Sequence, residues 1–170
     1  MSSMSDIKVD KVTLNIGVGS PGDKLDKGIK LLKSITGSTP IQTVTQKRIP
    51  TWGLRPNLPV AAKVTVRGKK AEELLRRLFT AMDNTLPDKK FDAFGNFSFG
   101  IKEYIDIPGV PYDASIGVIG LEAAVTLARS GFRIKYRSIK KKKISSRHSV
   151  KKEDAINFVK SKFNVKVGEE

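Results

Sequence analysis

Two stretches without a single acid carry the residues whose chemistry is most legible in this chain. From Lys27 to Ala71 there are ten lysines and arginines and no Asp or Glu, and from Arg129 to Lys152 there are eleven, again with no acid. Cations that outnumber their internal partners suit an external polyanion, and arginine adds a planar, two-pronged grip on phosphate. In the first stretch Lys47, Arg48 and Arg55 surround Trp52, the only tryptophan. Pro50, Pro56 and Pro59 hold this segment as a loop, and its indole either stacks on an unpaired base or folds back on the protein. Asn15, Gln42, Thr43, Thr45 and Thr65 offer donors for phosphates and ribose hydroxyls, beside Lys63 and Arg67. In the second stretch Arg133, Lys135 and Arg137 alternate with Ile134 and Tyr136, and Lys140, Lys141, Lys142 and Lys143 follow. His148 stands beside Arg147, where it touches a phosphate or stays solvated. The chemistry is nucleic-acid binding, by backbone and shape rather than by a base code.

The composition excludes several other classes. A formal net charge of +15 over 170 residues makes nucleic acid the leading partner and an anionic membrane surface the second. No run of about 18 apolar residues exists, and the opening MSSMSDIKVDK has no apolar stretch of signal length, so a cytoplasmic location without a membrane is expected. With no cysteine and one histidine, disulfides and cysteine-based zinc sites are removed, and no metal or cofactor is expected. No nucleophile, base and acid pattern stands out, so the chain does not read as an enzyme. The alternative is a small nucleotide-binding enzyme using Gly17-Val18-Gly19-Ser20-Pro21-Gly22, which fits G-x-G-x-x-G between a strand and a helix. That fingerprint expects a ribose-binding acid about 20 residues on, and no acid occurs between Asp26 and Glu72. A glycine turn into a capped helix accounts for the motif.

These groups need a scaffold, and 39% hydrophobic content supplies a core. All 170 residues are read as one domain, since a chain of roughly this length buries about two-thirds of its unfolded surface. Val12, Leu14, Ile16 and Val18 alternate with Lys11, Thr13, Asn15 and Gly17 as a half-buried strand. Ser20, Pro21 and Asp23 then fit the N-cap, first and third positions of a helix. Leu25, Ile29, Leu32 and Ile35 form its inner stripe, and Gly37 ends it. Residues 41–45 and 60–67 read as strands, the second with Ala62, Val64 and Val66 inward and Lys63, Thr65 and Arg67 outward. Ala71, Leu74, Leu75, Leu78, Phe79 and Met82 predict a helix stopped near Pro87. Phe97, Phe99 and Ile101 alternate as a strand, and IPGVPYD is a loop. GLEAAVTLARSG fits strand and helix equally. The basic segment 129–152 opens as a strand or extended arm, and a C-terminal helix over 151–163 follows, with Ser149 as its possible cap.

Five segments, in order and spacing, resemble the fifth large-subunit ribosomal protein family of the universal nomenclature. They are KVTLNIGVG (11–19), ITGSTP (35–40), LRPNLPVAAKVTVRG (54–68), FDAFGNFSFGIKE (91–103) and GLEAAVTLARSG (120–131). The likeness covers nearly the whole chain and is to the archaeal form. The first strand starts without the helical extension usual in bacterial members, and the segment from Arg133 to Ile156 resembles the basic archaeal and eukaryotic ending. The resemblance implies an α+β fold, an antiparallel sheet with helices on one face and an open polar and basic face for RNA. It makes GLEAAVTLA (120–128) a strand. It also implies a non-enzymatic constituent of the large subunit, bound to the ribosome beside neighbouring large-subunit proteins, that anchors 5S rRNA to large-subunit rRNA in the central protuberance.

By position, Asn15, Trp52 and Thr65 match family contacts to 5S rRNA. Ser38 stands where bacterial members commonly have glutamine, and Trp52 where they have phenylalanine. Gln42, Thr45, Lys63 and Arg67, with Arg133, Lys135, Arg137, Lys140, Lys141, Arg147 and His148 of the basic ending, complete the expected rRNA-binding set. The loop from Gln46 to Pro59 matches one that reaches the elbow of P-site tRNA, which assigns Lys47, Arg48 and Arg55 to tRNA. Residues Pro108 to Gly117 lie near the family segment that faces a small-subunit protein across an intersubunit bridge.

Overall fold

The alternating N-terminal segment is the central strand of the computed structural model, which describes residues 4–168. Strand β1 (Ile7–Gly17) buries Val12, Leu14 and Ile16 on one side, as a side-chain period of two dictates, and Val9 is buried beyond an irregularity in the pairing with β6 between Val9 and Lys11. It pairs antiparallel with β3 (Pro59–Val66) and with β6 (Leu121–Arg129). Strand β2 (Ile41–Val44) lies outside β3, and β5 (Phe97–Ile101) outside β6, giving the order β2-β3-β1-β6-β5. Segment 120–131, which periodicity leaves open, is therefore strand: Leu121, Ala123, Val125 and Leu127 are buried while Glu122 and Ala124 are exposed.

Four helices join this sheet: α1 (Asp23–Thr36), α2 (Lys69–Thr80), the single turn α3 (Arg133–Tyr136) and α4 (Lys152–Phe163). Their apolar stripes and the inward strand residues share one core, which includes Leu32, Leu75, Leu78, Phe79 and Val159. Phe79 ties three elements together, its ring 5.6 Å from Phe99, 6.1 Å from Phe97 and 5.5 Å from Phe163. The opposite face of the sheet stays free of the core. This is an α+β fold, as the resemblance implies. A short parallel pair, β4 (Thr85–Pro87) with β7 (Lys166–Gly168), lies outside the main sheet and has no signature in the sequence.

The local structure differs from the sequence expectations at four helical segments. Helix α1 starts at Asp23, because Gly22 takes φ 120° and ψ −161°, outside the helical region. Ser20 and Pro21 are left in the preceding turn, and the Gly22 carbonyl accepts from the amides of Leu25 (2.8 Å) and Asp26 (3.3 Å). Helix α2 ends before a turn through Asp83 and Asn84, both left-handed, so Pro87 closes β4 and not the helix. Helix α4 is capped at Lys151 rather than Ser149: Val150 is drawn into the core, and the Asp154 carboxylate accepts the Lys151 amide at 3.3 Å. Residues 133–136 are a helical turn instead of a strand or extended arm. Gly131 turns the chain at φ 92°, and no described strand lies beside it, so the backbone bonds to itself. The Lys135 amide donates to Phe132 and the Arg137 amide to Arg133, each at 3.0 Å.

The dinucleotide reading of Gly17, Gly19 and Gly22 also fails on topology. Both neighbours of β1 run antiparallel to it, so the turn does not open at the carboxyl edge of a parallel sheet, where such ligands bind. No helix among the described residues is long and apolar enough to cross a membrane.

Candidate nucleic-acid interface

Strand register gathers part of the predicted site on the open sheet face. Asn15 lies opposite Lys63, and Thr13 opposite Thr65, with the two threonine hydroxyl oxygens 3.5 Å apart. Several neighbouring outward positions are small, Gly17, Ala61, Ser98, Gly100 and Ala124 among them. Short side chains leave this surface low enough for an RNA backbone to approach closely. A shallow hollow of about 450 Å³ runs across it between Thr13, Asn15, Ser98 and Glu122.

The face is polar more than basic. Arg67 is tied to Asp10 at 3.0 Å, and the Asn15 side-chain amide donates to Glu122 at 3.4 Å. Lys63 is exposed and makes no ion pair among the described residues.

Gln42 and Thr45 sit differently from their neighbours. Gln42 pairs with the buried Ala62, so it projects from the helix side of the edge strand, away from Asn15 and Lys63. Ile41 and Thr43 hold the outward positions, and the Thr43 hydroxyl donates to the Ala61 carbonyl at 3.1 Å. The Thr45 hydroxyl donates to the Arg55 carbonyl and so closes the base of a loop.

That loop, residues 45–58, is an ordered finger. Ile49 and Leu54 exchange two amide bonds of 3.0 Å, and the Asn57 amide donates to Thr45 at 2.9 Å. Its tip is the helical turn Pro50–Trp52, followed by Gly53 at φ 65°, a conformation glycine adopts without strain. Trp52 is 73% exposed and so is held outward, not folded back on the sheet. Lys47, Arg48 and Arg55 are exposed along the finger with no ion pair among the described residues. Ser38 is half-buried in the bend between α1 and β2, its amide donating to the Thr36 hydroxyl at 3.3 Å.

In the basic ending, Arg129 pairs with Asp154 at 2.8 Å and Lys152 with Asp88 at 2.5 Å. The other nine cations of that stretch make no ion pair among the described residues. Arg133 and Lys135 lie on α3, and the Arg137 side chain donates to the Lys140 carbonyl at 2.9 Å. Lys140, Lys141 and Arg147 are exposed. His148 is an internal clip: its Nε2 donates to the Ser130 carbonyl at 2.8 Å and its ring meets Phe132 edge-on. A second hollow, about 470 Å³ and lined by Lys8, Lys11, Arg67, Arg133 and Tyr136, joins this ending to the sheet face. Nothing in the sequence foretells that junction, since it brings residues 8, 67 and 133 together.

Comparison with known proteins finds one family along the chain. Residues 2–55 match the family described as ribosomal protein L5, and residues 59–158 match the C-terminus described for the same ribosomal family. Large ribosomal subunit protein uL5 of Nanoarchaeum equitans is 47% identical, over 96% of this chain and 97% of its own. The proteins of the same name from Sulfurisphaera tokodaii and Methanococcus maripaludis are each 44% identical. Those matches cover 99% and 94% of this chain, and 96% and 90% of theirs. The names are those of ribosomal proteins, not enzymes. With both halves matched and archaeal relatives aligned over nearly their full length, the chain belongs to the ribosomal L5 family.

Proposed function

We propose that this chain is a structural protein of the large ribosomal subunit that binds 5S rRNA on its open sheet face and holds it to large-subunit rRNA. One observation carries the reading: β1 and β3 bring Asn15, Lys63, Thr13 and Thr65 together on a surface free of the core. A face of short hydroxyl and amide groups suits phosphates and ribose hydroxyls, which is how folded RNA is read. Ser38, Arg67, Arg133, Lys135, Arg137, Lys140, Lys141, Arg147 and His148 extend the rRNA contact, with Gln42 and Thr45 flanking it at the sheet edge. The finger, with Lys47, Arg48 and Arg55 unneutralised, reaches P-site tRNA. The segment from Pro108 to Gly117 faces a small-subunit protein across the intersubunit bridge. Its turn is braced by the Tyr104 hydroxyl, which accepts the Asp113 amide at 3.0 Å, and by the Asp113 carboxylate, which accepts the Ser115 amide at 2.8 Å.

Titration of labelled 5S rRNA tests the reading. Binding should weaken by about 10³ or more between 50 and 200 mM salt if some six or more phosphates are neutralised. Trp52→Ala should weaken it by a further 1 to 3 kcal/mol, the approximate worth of one base stack. A flat salt profile overturns the electrostatic reading, and unchanged affinity in Trp52→Ala removes the stack.

A further inference from the structure

The turn Asp92 to Asn96 is closed by a cluster of hydrogen bonds around one exposed phenylalanine. The Asp92 carboxylate accepts the backbone amides of Phe94 (2.9 Å) and Asn96 (2.7 Å) and the Asn96 side-chain amide (2.8 Å). The Asn96 carbonyl in turn accepts the Asp92 amide at 2.8 Å. Gly95 is buried at φ 74°, and a Cβ there would fall 2.5 Å from Val150 Cγ1 and 3.2 Å from the Lys151 carbonyl. The turn is therefore locked against the start of α4. What it holds outward is Phe94, 70% exposed.

Phe94 forms one wall of a hollow of about 550 Å³, completed by Phe132, Tyr136, Lys141, Lys142 and Lys143. That volume falls within the range of small-ligand sites, roughly 300 to 1,000 Å³. Lys135 also reaches it, its ammonium 5.6 Å from the centre of the Tyr136 ring. No acid lines the hollow, and none of its lysines makes an ion pair among the described residues. An occupant must offer negative charge at the rim and a flat apolar face inside. A free phosphate supplies only the first.

We infer that this hollow takes a single nucleotide splayed out of an RNA strand, its base against Phe94 and Tyr136 and its phosphate on the Lys141–Lys143 rim. The inference rests on the RNA-binding reading above and adds a base-stacking site distinct from the contact proposed on β1 and β3. Bases turned out of an RNA helix are taken up on aromatic side chains in this way, without requiring a particular sequence.

The test uses the full chain and a single-stranded hexauridylate carrying one photoreactive iodouridine, with 5S rRNA titrated in parallel. Crosslinks should map to Phe94 or Tyr136. Phe94→Ala should weaken hexauridylate binding roughly 5- to 150-fold, the loss expected for one base–aromatic stack, and Phe94→Trp should restore it. Phe94 is exposed, so its truncation leaves the core intact, and an unchanged urea midpoint verifies this. If 5S rRNA binds but no crosslink reaches Phe94 or Tyr136, or if Phe94→Ala binds as tightly as the parent, the inference falls alone. If neither RNA binds, the RNA-binding reading falls with it. Hexaglutamate binding with the same dependence on Phe94 would identify an acidic peptide as the occupant and overturn the nucleotide.

Discussion

Lys63 and Arg67 stand on the same outward face of the sheet, at and just beyond β3, yet they should answer differently to truncation. Lys63 has no acid partner among the described residues, whereas Arg67 already has Asp10 at 3.0 Å. A phosphate at Lys63 releases its condensed counterion at no internal cost, but a phosphate at Arg67 must first displace a carboxylate. For a free cation, each phosphate contact contributes about 0.7 to 0.9 to the slope of log affinity against log salt. Extrapolated from 1 M to 0.1 M salt, that slope makes Lys63→Ala about 5- to 8-fold weaker for 5S rRNA. Arg67→Ala should lose less on both counts, and Asp10→Asn should strengthen binding by freeing the guanidinium. Filter binding or anisotropy from roughly 50 to 300 mM salt, on variants whose unfolding midpoints match the parent, reads all three slopes. If Lys63→Ala leaves the slope unchanged, the sheet face does not carry phosphate. If Arg67→Ala costs as much as Lys63→Ala, the Asp10 pair has no bearing on binding.

Two further expectations concern the turns that shape the surface. Gly95→Ala should cost about 1–2 kcal/mol for a left-handed non-glycine residue and about 1–3 more for overlap with the buried Val150, while Gly53→Ala, with open space around it, should cost only the first. Urea unfolding of both variants measures the difference, and equal losses would show that the Gly95 contact with Val150 is relieved freely. Asp113 is held below its ordinary value of 3.8 by hydrogen bonds from the Ser115 side chain and amide. A lowered folded value means that its contribution to the 113–117 turn is complete above pH 3.8 and is lost as pH falls through the folded value. Ser115→Ala should move the Asp113 titration, followed by carboxyl NMR, partway back up; an unmoved midpoint would refute the side-chain contribution.

What the sequence reveals and what it hides follow from the range of each interaction. The alternation in β1 and the stripe of α2 are local, and the structure reproduces both, because burying one face of a period-two or period-3.6 pattern leaves little choice. Residues 133–137 carry the same alternation as a strand, but alternation specifies a strand only when another strand pairs with it. The side of the edge strand from which Gln42 projects is not declared by a four-residue strand; its pairing with Ala62 decides that. The partners of Arg67 and Asn15 lie 57 and 107 residues away. No reading of acid-free windows could find them, and they convert a face expected to be basic into one that is polar and partly self-neutralised.

That conversion bears on where binding strength resides. The eleven cations of 129–152 outnumber Lys47, Arg48, Arg55, Lys63 and Arg67, so the sheet face and the finger hold the smaller share. The face supplies short donors in fixed register, and the ending supplies charge that no internal acid cancels, its Arg129 and Lys152 pairs aside. The two are contiguous: Phe132 and Tyr136 line both the hollow that meets Arg67 and the one that meets Phe94. On the proposed function, an RNA strand leaving the sheet face past Lys11 and Arg67 runs over α3 and turns a base into the hollow beside Phe94. Truncating Tyr136 therefore disturbs both stations, whereas Phe94 serves only the distal one.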